Sequence, residues 1–158
     1  MPTDKSLSTY LTDHMAGSVT ASDLAKRGAK NNEGPTAQFF TDLSREIEID
    51  RRTLASVAEQ CGVEASPLKE AGAMVAERLS RFKFDHRATG NPQLSLLLEL
   101  ELLYLGIEGK HTLWRTLRAL QDSRLSGFDF EKLALRAQEQ LSAVEEQRLA
   151  VAPDALSG

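Results

Sequence analysis

The chain has 158 residues, 19 basic against 23 acidic for a formal charge of −4, and one cysteine, Cys61. That length suits one domain with a single core. Interspersed charge without a long basic run argues against a nucleic-acid partner, and a lone cysteine excludes an internal disulfide, a CxxC redox pair and a thiolate zinc site.

Cys61 reads as a buried apolar thiol. The opening MPTDKSLSTYLTDHMAG has no basic segment followed by an unbroken apolar run, so no secretory signal is expected and the cytoplasm is the expected location.

Helix signals then repeat along the chain, with no strand-type alternation or internal repeat. The first helix is expected over about residues 4–27, stopping at Gly28, with Leu7, Leu11, His14, Ser18, Ala21 and Ala25 on its inward stripe. Gly17, Ser18 and Ala21 on that helix would admit a close neighbour. The second, about 35–61, opens at Gly34-Pro35 and ends before Gly62. Its stripe of Phe39, Leu43, Ile47, Asp50, Leu54 and Val57 places an acid, Asp50, at a core position, with Glu46 one turn earlier.

A shorter helix over about 67–82 follows, apolar on one side, and then a polar linker, KFDHRATG, containing His86. The fourth helix, about 92–121, opens at Asn91-Pro92 and is apolar on nearly every side, so neighbours should bury it on more than one side. Glu101 and Glu108 share a face with Leu94, Leu98 and Leu105, while Trp114 lies on the opposite face, where it should meet the 67–82 helix. The apolar part of this segment is shorter than the roughly 20 residues of a membrane span and carries acids, so no membrane partner is expected. The last helix, about 130–151, has Asp129 as its N-cap and is closed by Pro153.

The four long helices form the natural bundle, giving an all-α fold in one domain. If the 67–82 helix climbs back along the outside, the 92–121 helix lies parallel to the second helix, a bundle with one long crossover. Short connections equally permit a plain up-and-down bundle of the first four helices with the last packed outside.

Two helix pairs, a crossover and acids on inward stripes resemble the ferritin-like superfamily, whose members often hold two metal ions between four long helices. The resemblance implies carboxylates from two helices and a Glu-x-x-His pair from each of the other two, since i and i+3 side chains reach one metal. This chain has one such spacing, Glu108-Gly109-Lys110-His111; the second helix has no histidine three residues after Glu46 or Asp50, and the last carries Gln140 where an acid would be wanted.

At 1.5 Å per residue, His14, Asp50, Glu108 and Gln140 fall within roughly 5 Å of one height in the crossover arrangement. Two readings of that layer follow. One is a hydrogen-bonded polar layer that selects one register, with donors drawn from residues such as His14, Arg51, Arg136 and Gln140, in a non-catalytic protein acting by self-association, for example as a dimer, or through a protein partner. The other is a metal site for iron, zinc or manganese built from His14, Asp50 and Glu108, assisted by Glu46 or His111. No Ser-His-Asp or Cys-His arrangement and no Gly-rich phosphate loop is present, so no catalytic residue is expected.

Overall fold

The computed structural model describes residues 4–64, 77 and 90–157, and among them every regular element is helical. Four long helices, α1 (Lys5–Asn31), α2 (Gly34–Gln60), α3 (Pro92–Leu120) and α4 (Phe130–Leu156), are joined by a short 3-10 turn at Ser123–Leu125 between the last two. Of the expected 67–82 helix only Glu77, itself helical, is described, and His86 lies outside the described residues.

Three of the four starts carry a side-chain cap. Asp4 accepts from the Ser6 amide at 2.9 Å, Asn91 from the Gln93 and Leu94 amides at 3.0 and 3.2 Å, and Asp129 from the Lys132 amide at 3.0 Å. Each cap satisfies amides that the first helical turn leaves without partners. At α2 the start is set instead by Pro35 in the first turn, preceded by Gly34 at φ +59°.

Two helix ends differ from expectation. Helix α1 runs through Gly28 to Asn31, because Gly28 serves packing rather than termination: it is buried against the Phe40 ring so closely that a Cβ would collide with it. Helix α4 likewise continues through Pro153 to Leu156. The proline removes one donor, to the carbonyl of Leu149, an exposed position three turns or less from the helix end.

Side-chain contacts fix the helix directions. In the α1/α2 pair, Gly28 meets Phe40 while Ser22 and Lys26 reach Glu48, so the two helices are antiparallel. Helices α3 and α4 form a second antiparallel pair, with Arg118 facing Glu131 at 3.3 Å near one end and Asn91 donating to the Ala155 carbonyl at 3.3 Å at the other. Between the pairs, α1 runs antiparallel to α3, since Ala21 approaches Gly106 while Tyr10 and Leu7 lie near Thr116 and Leu120. Helices α2 and α3 are therefore parallel, and both end where the 3-10 turn touches α2. The order is up, down, down, up.

One continuous apolar core fills the centre. It takes Leu11, Leu24 and Ala25 from α1, Phe40, Leu43, Ile47, Leu54 and Val57 from α2, and Leu100, Leu103, Ile107 and Leu117 from α3, with Leu141 and Val144 from α4. Full burial of side chains of this size contributes about 1.5–3 kcal/mol each. Trp114 is 0% exposed, yet it stacks on Phe130 of α4 at a centroid distance of 6.1 Å and 24°. Its place is thus in the bundle beside α4, not on the outer face assigned to it from the sequence.

Candidate functional site

Asp50 is the one acid on the α2 core stripe, and its carboxylate is 3% exposed. An unpaired carboxylate there would cost several kcal/mol. The structure surrounds it with donors from two other helices. Lys110 Nζ of α3 lies 2.6 Å from Oδ2, an Arg136 Nη2 of α4 donates to Oδ1, and Gln140 Nε2 reaches Oδ2 at 3.3 Å. Gln140 also donates to Glu46 Oε2 at 2.9 Å and accepts from Lys110 through its carbonyl oxygen. Two acids, two bases and one amide thus form a closed network across α2, α3 and α4.

Burial pushes the Lys110 ammonium below its ordinary pKa, against the opposing pull of Asp50. The network consequently sits where desolvation and ion pairing compete, and the helix register decides the outcome. Gln140 is suited to the middle position because one amide offers a donor to an acid and an acceptor to the lysine.

The residues singled out from the sequence separate into three groups. Asp50, Glu46, Gln140 and Arg136 meet in the network. His14 lies on the wall of a neighbouring pocket, its ring edge-on to Tyr10 at 4.6 Å, and burial lowers its pKa despite the nearby Asp13. Glu108 faces solvent and, among the described residues, pairs with its helix neighbour His111 at 3.4 Å between Oε1 and Nδ1. Among the described residues, no group of three or more His, Cys, Asp or Glu side chains is placed to hold a metal ion. Glu101 has Arg148 at 3.5 Å as its basic partner, and Cys61 is buried, with burial raising its thiol pKa.

Lys110 of α3 is the cation that Asp50 needs. Its spacing gives the signal: Leu103, Ile107, Lys110, Trp114 and Leu117 form an i, i+3, i+4 stripe, so Lys110 occupies a core-facing position. Glu99 lies between Leu96 and Leu103 on the same stripe. It is 2% exposed, its Oε1 has no hydrogen-bond partner among the described residues, and burial raises its pKa to about 7 against the weaker opposing effect of Arg27.

The pocket bordered by His14 lies between α1, α2 and α3. Its floor includes Ile47, Leu54, Leu113 and Trp114, and its volume is about 170 Å³. Asp13, Gly17 and Gly106 are exposed and mark its mouth. The small residues of α1 and α3 work in two ways here. Ala21 and Gly106 bring α1 and α3 close, whereas Gly17 and Gly109 leave open space, with no atom within 4 Å of a Cβ built at either.

The chain matches no family model, no curated protein and no solved structure. Among the described residues, no helix is long and apolar enough to cross a membrane.

Proposed function

We propose that the protein is a non-catalytic helical bundle of ferritin-like architecture that acts by pairing with a second copy of itself. The up, down, down, up helix order supports the architecture. For the polar layer, the partners of Asp50 support a structural role over a metal-ligand role, because both its oxygens already accept from cationic side chains. Such a network holds α2, α3 and α4 in one register.

The single observation that carries the pairing is a groove between α2 and α4 that exposes two large apolar side chains among Thr53, Asp129, Lys132, Arg136 and Glu139. Ile49 and Leu135 rise from it, 48% and 60% exposed, with Phe128 and Leu133 in its floor. Its rim is self-complementary. Lys132 precedes Leu135 by three residues and Glu139 follows by four, so a two-fold axis near Leu135 sets each lysine of one copy against the glutamate of the other. An isologous interface requires that kind of self-matching surface, and the rim charges select it over a parallel pairing.

Sedimentation velocity across a concentration series tests this reading. A dimer is expected, and Leu135→Glu or Ile49→Glu should give a monomer of unchanged helical content. A wild-type chain that stays monomeric to about 100 μM would overturn it.

A further inference from the structure

The pocket between α1, α2 and α3 shares no lining residue with the groove between α2 and α4, so what it does is independent of pairing. Its walls are mainly aliphatic and aromatic, from Ile47, Leu54, Ile107, Leu113 and Trp114. Its volume, about 170 Å³, compares with the cavity of about 150 Å³ that suffices for benzene in a protein core. Close packing normally eliminates such space, and here glycine at positions 17 and 109 preserves it, since a side chain at either would extend into unoccupied volume.

Two wall residues carry donors without acceptors. Trp114 is 0% exposed and, among the described residues, its Nε1–H has no hydrogen-bond partner and neither has the Nε–H of Arg51, although the other end of that guanidinium pairs with Glu48 at 2.9 Å. Buried indole and guanidinium donors ordinarily find a partner. An apolar chamber of ring size, bordered by two unmatched donors, is the pattern of a small-ligand site, in which a few polar groups orient an otherwise apolar guest.

We propose that this pocket binds a monocyclic aromatic molecule carrying one acceptor oxygen, such as a carboxylate or carboxamide. The ring lies against Ile47, Leu54 and Leu113, and the oxygen accepts from Trp114, Arg51 or both. His14, held towards its neutral form by burial, and Ser18, whose hydroxyl donates to the Met15 carbonyl at 2.6 Å, border the guest, and the Asp50 and Lys110 charges that also line the pocket are paired with each other at 2.6 Å. Asp13 stands exposed at the mouth and is free to turn to solvent.

Because Trp114 is the only tryptophan of the chain, its fluorescence reports on this pocket alone. Benzoate, benzamide and benzene are titrated separately, with thermal denaturation run alongside. Benzoate or benzamide is expected to change the emission saturably and to raise Tm by about 3–6 °C at ten times Kd, while benzene binds at least about tenfold more weakly, the worth of one hydrogen bond. Gly109→Leu, which fills the chamber, should abolish both responses while retaining the wild-type or a higher Tm. Gly17→Leu gives a second filled variant should the first fail to fold. Absence of any saturable response, binding that survives in a folded filled variant, or benzene binding as tightly as the other two would each overturn the proposal.

Discussion

The Lys110 ammonium of α3 lies 2.6 Å from the Asp50 carboxylate of α2, with 15% of the lysine side chain and 3% of the aspartate exposed. Neither partner can turn to bulk water if the other is lost. Arg136, a third exposed, can turn outward in part, and so buffers the pair from one side only.

Removing one charge should therefore cost far more than removing both. Lys110→Met or Asp50→Ala alone is expected to destabilise by about 3–5 kcal/mol, the range for breaking a buried pair. The combined Asp50→Leu, Lys110→Met chain should recover most of that loss, because two apolar side chains leave no uncompensated charge between α2 and α3. Urea denaturation of the four members of the cycle measures the coupling; additive losses would contradict the pairing.

Glu99 should set a pH slope in stability. Its folded pKa, about 7, stands above the ordinary 4.5, so the folded protein holds a proton that the unfolded chain has released. The stabilisation from this group is complete below about pH 4.5 and is lost as pH rises through about 7. Glu99→Gln should remove that slope and, at pH 8, stabilise the protein by about 2–3 kcal/mol. Denaturation midpoints at pH 5 and pH 8 decide it, and a variant whose pH profile matches the wild type would refute the assignment.

Three glycines should respond with opposite signs. Gly17→Ala and Gly109→Ala meet no neighbour and each should stabilise by about 0.5–1 kcal/mol, the helix preference of alanine over glycine. Gly28→Ala must displace the fully buried Phe40 ring and should cost about 1–3 kcal/mol. Thermal melts of the three variants are sufficient, and a stabilised Gly28→Ala chain would show that α1 can retreat from α2.

The helical architecture was legible because local signals coincide with it: Asn91-Pro92 and Asp129 open helices where the sequence says they should, and apolar stripes at helical spacing face inward. Gly28 and Pro153 misled because each is a helix stop by local rule, while tertiary packing at Phe40 and the short remainder of α4 outweigh that rule. The polar layer was half legible. Asp50 and Gln140 occupy core positions on clearly one-sided helices, so their meeting follows from periodicity. On α3 Lys110 and Glu99 fall on the stripe of Leu96, Leu103, Ile107, Trp114 and Leu117, but a helix apolar nearly all round offers a second stripe carrying Glu108, and only its rotation in the bundle decides between them. The pocket had no sequence signature at all, since Gly17 and Gly109 read equally as close approach or as empty space.

The two antiparallel pairs also bear on how the chain reaches this state. Most helix-to-helix contacts lie within α1/α2 and within α3/α4, segments adjacent in sequence, and local contacts form early and fast. Docking of one hairpin on the other then brings Asp50 to Lys110 and Arg136. A misregistered docking by one helical turn, about 5.4 Å, would strand those charges in an apolar seam. The ion network thus disfavours compact but wrongly aligned hairpin pairs that apolar packing alone would accept.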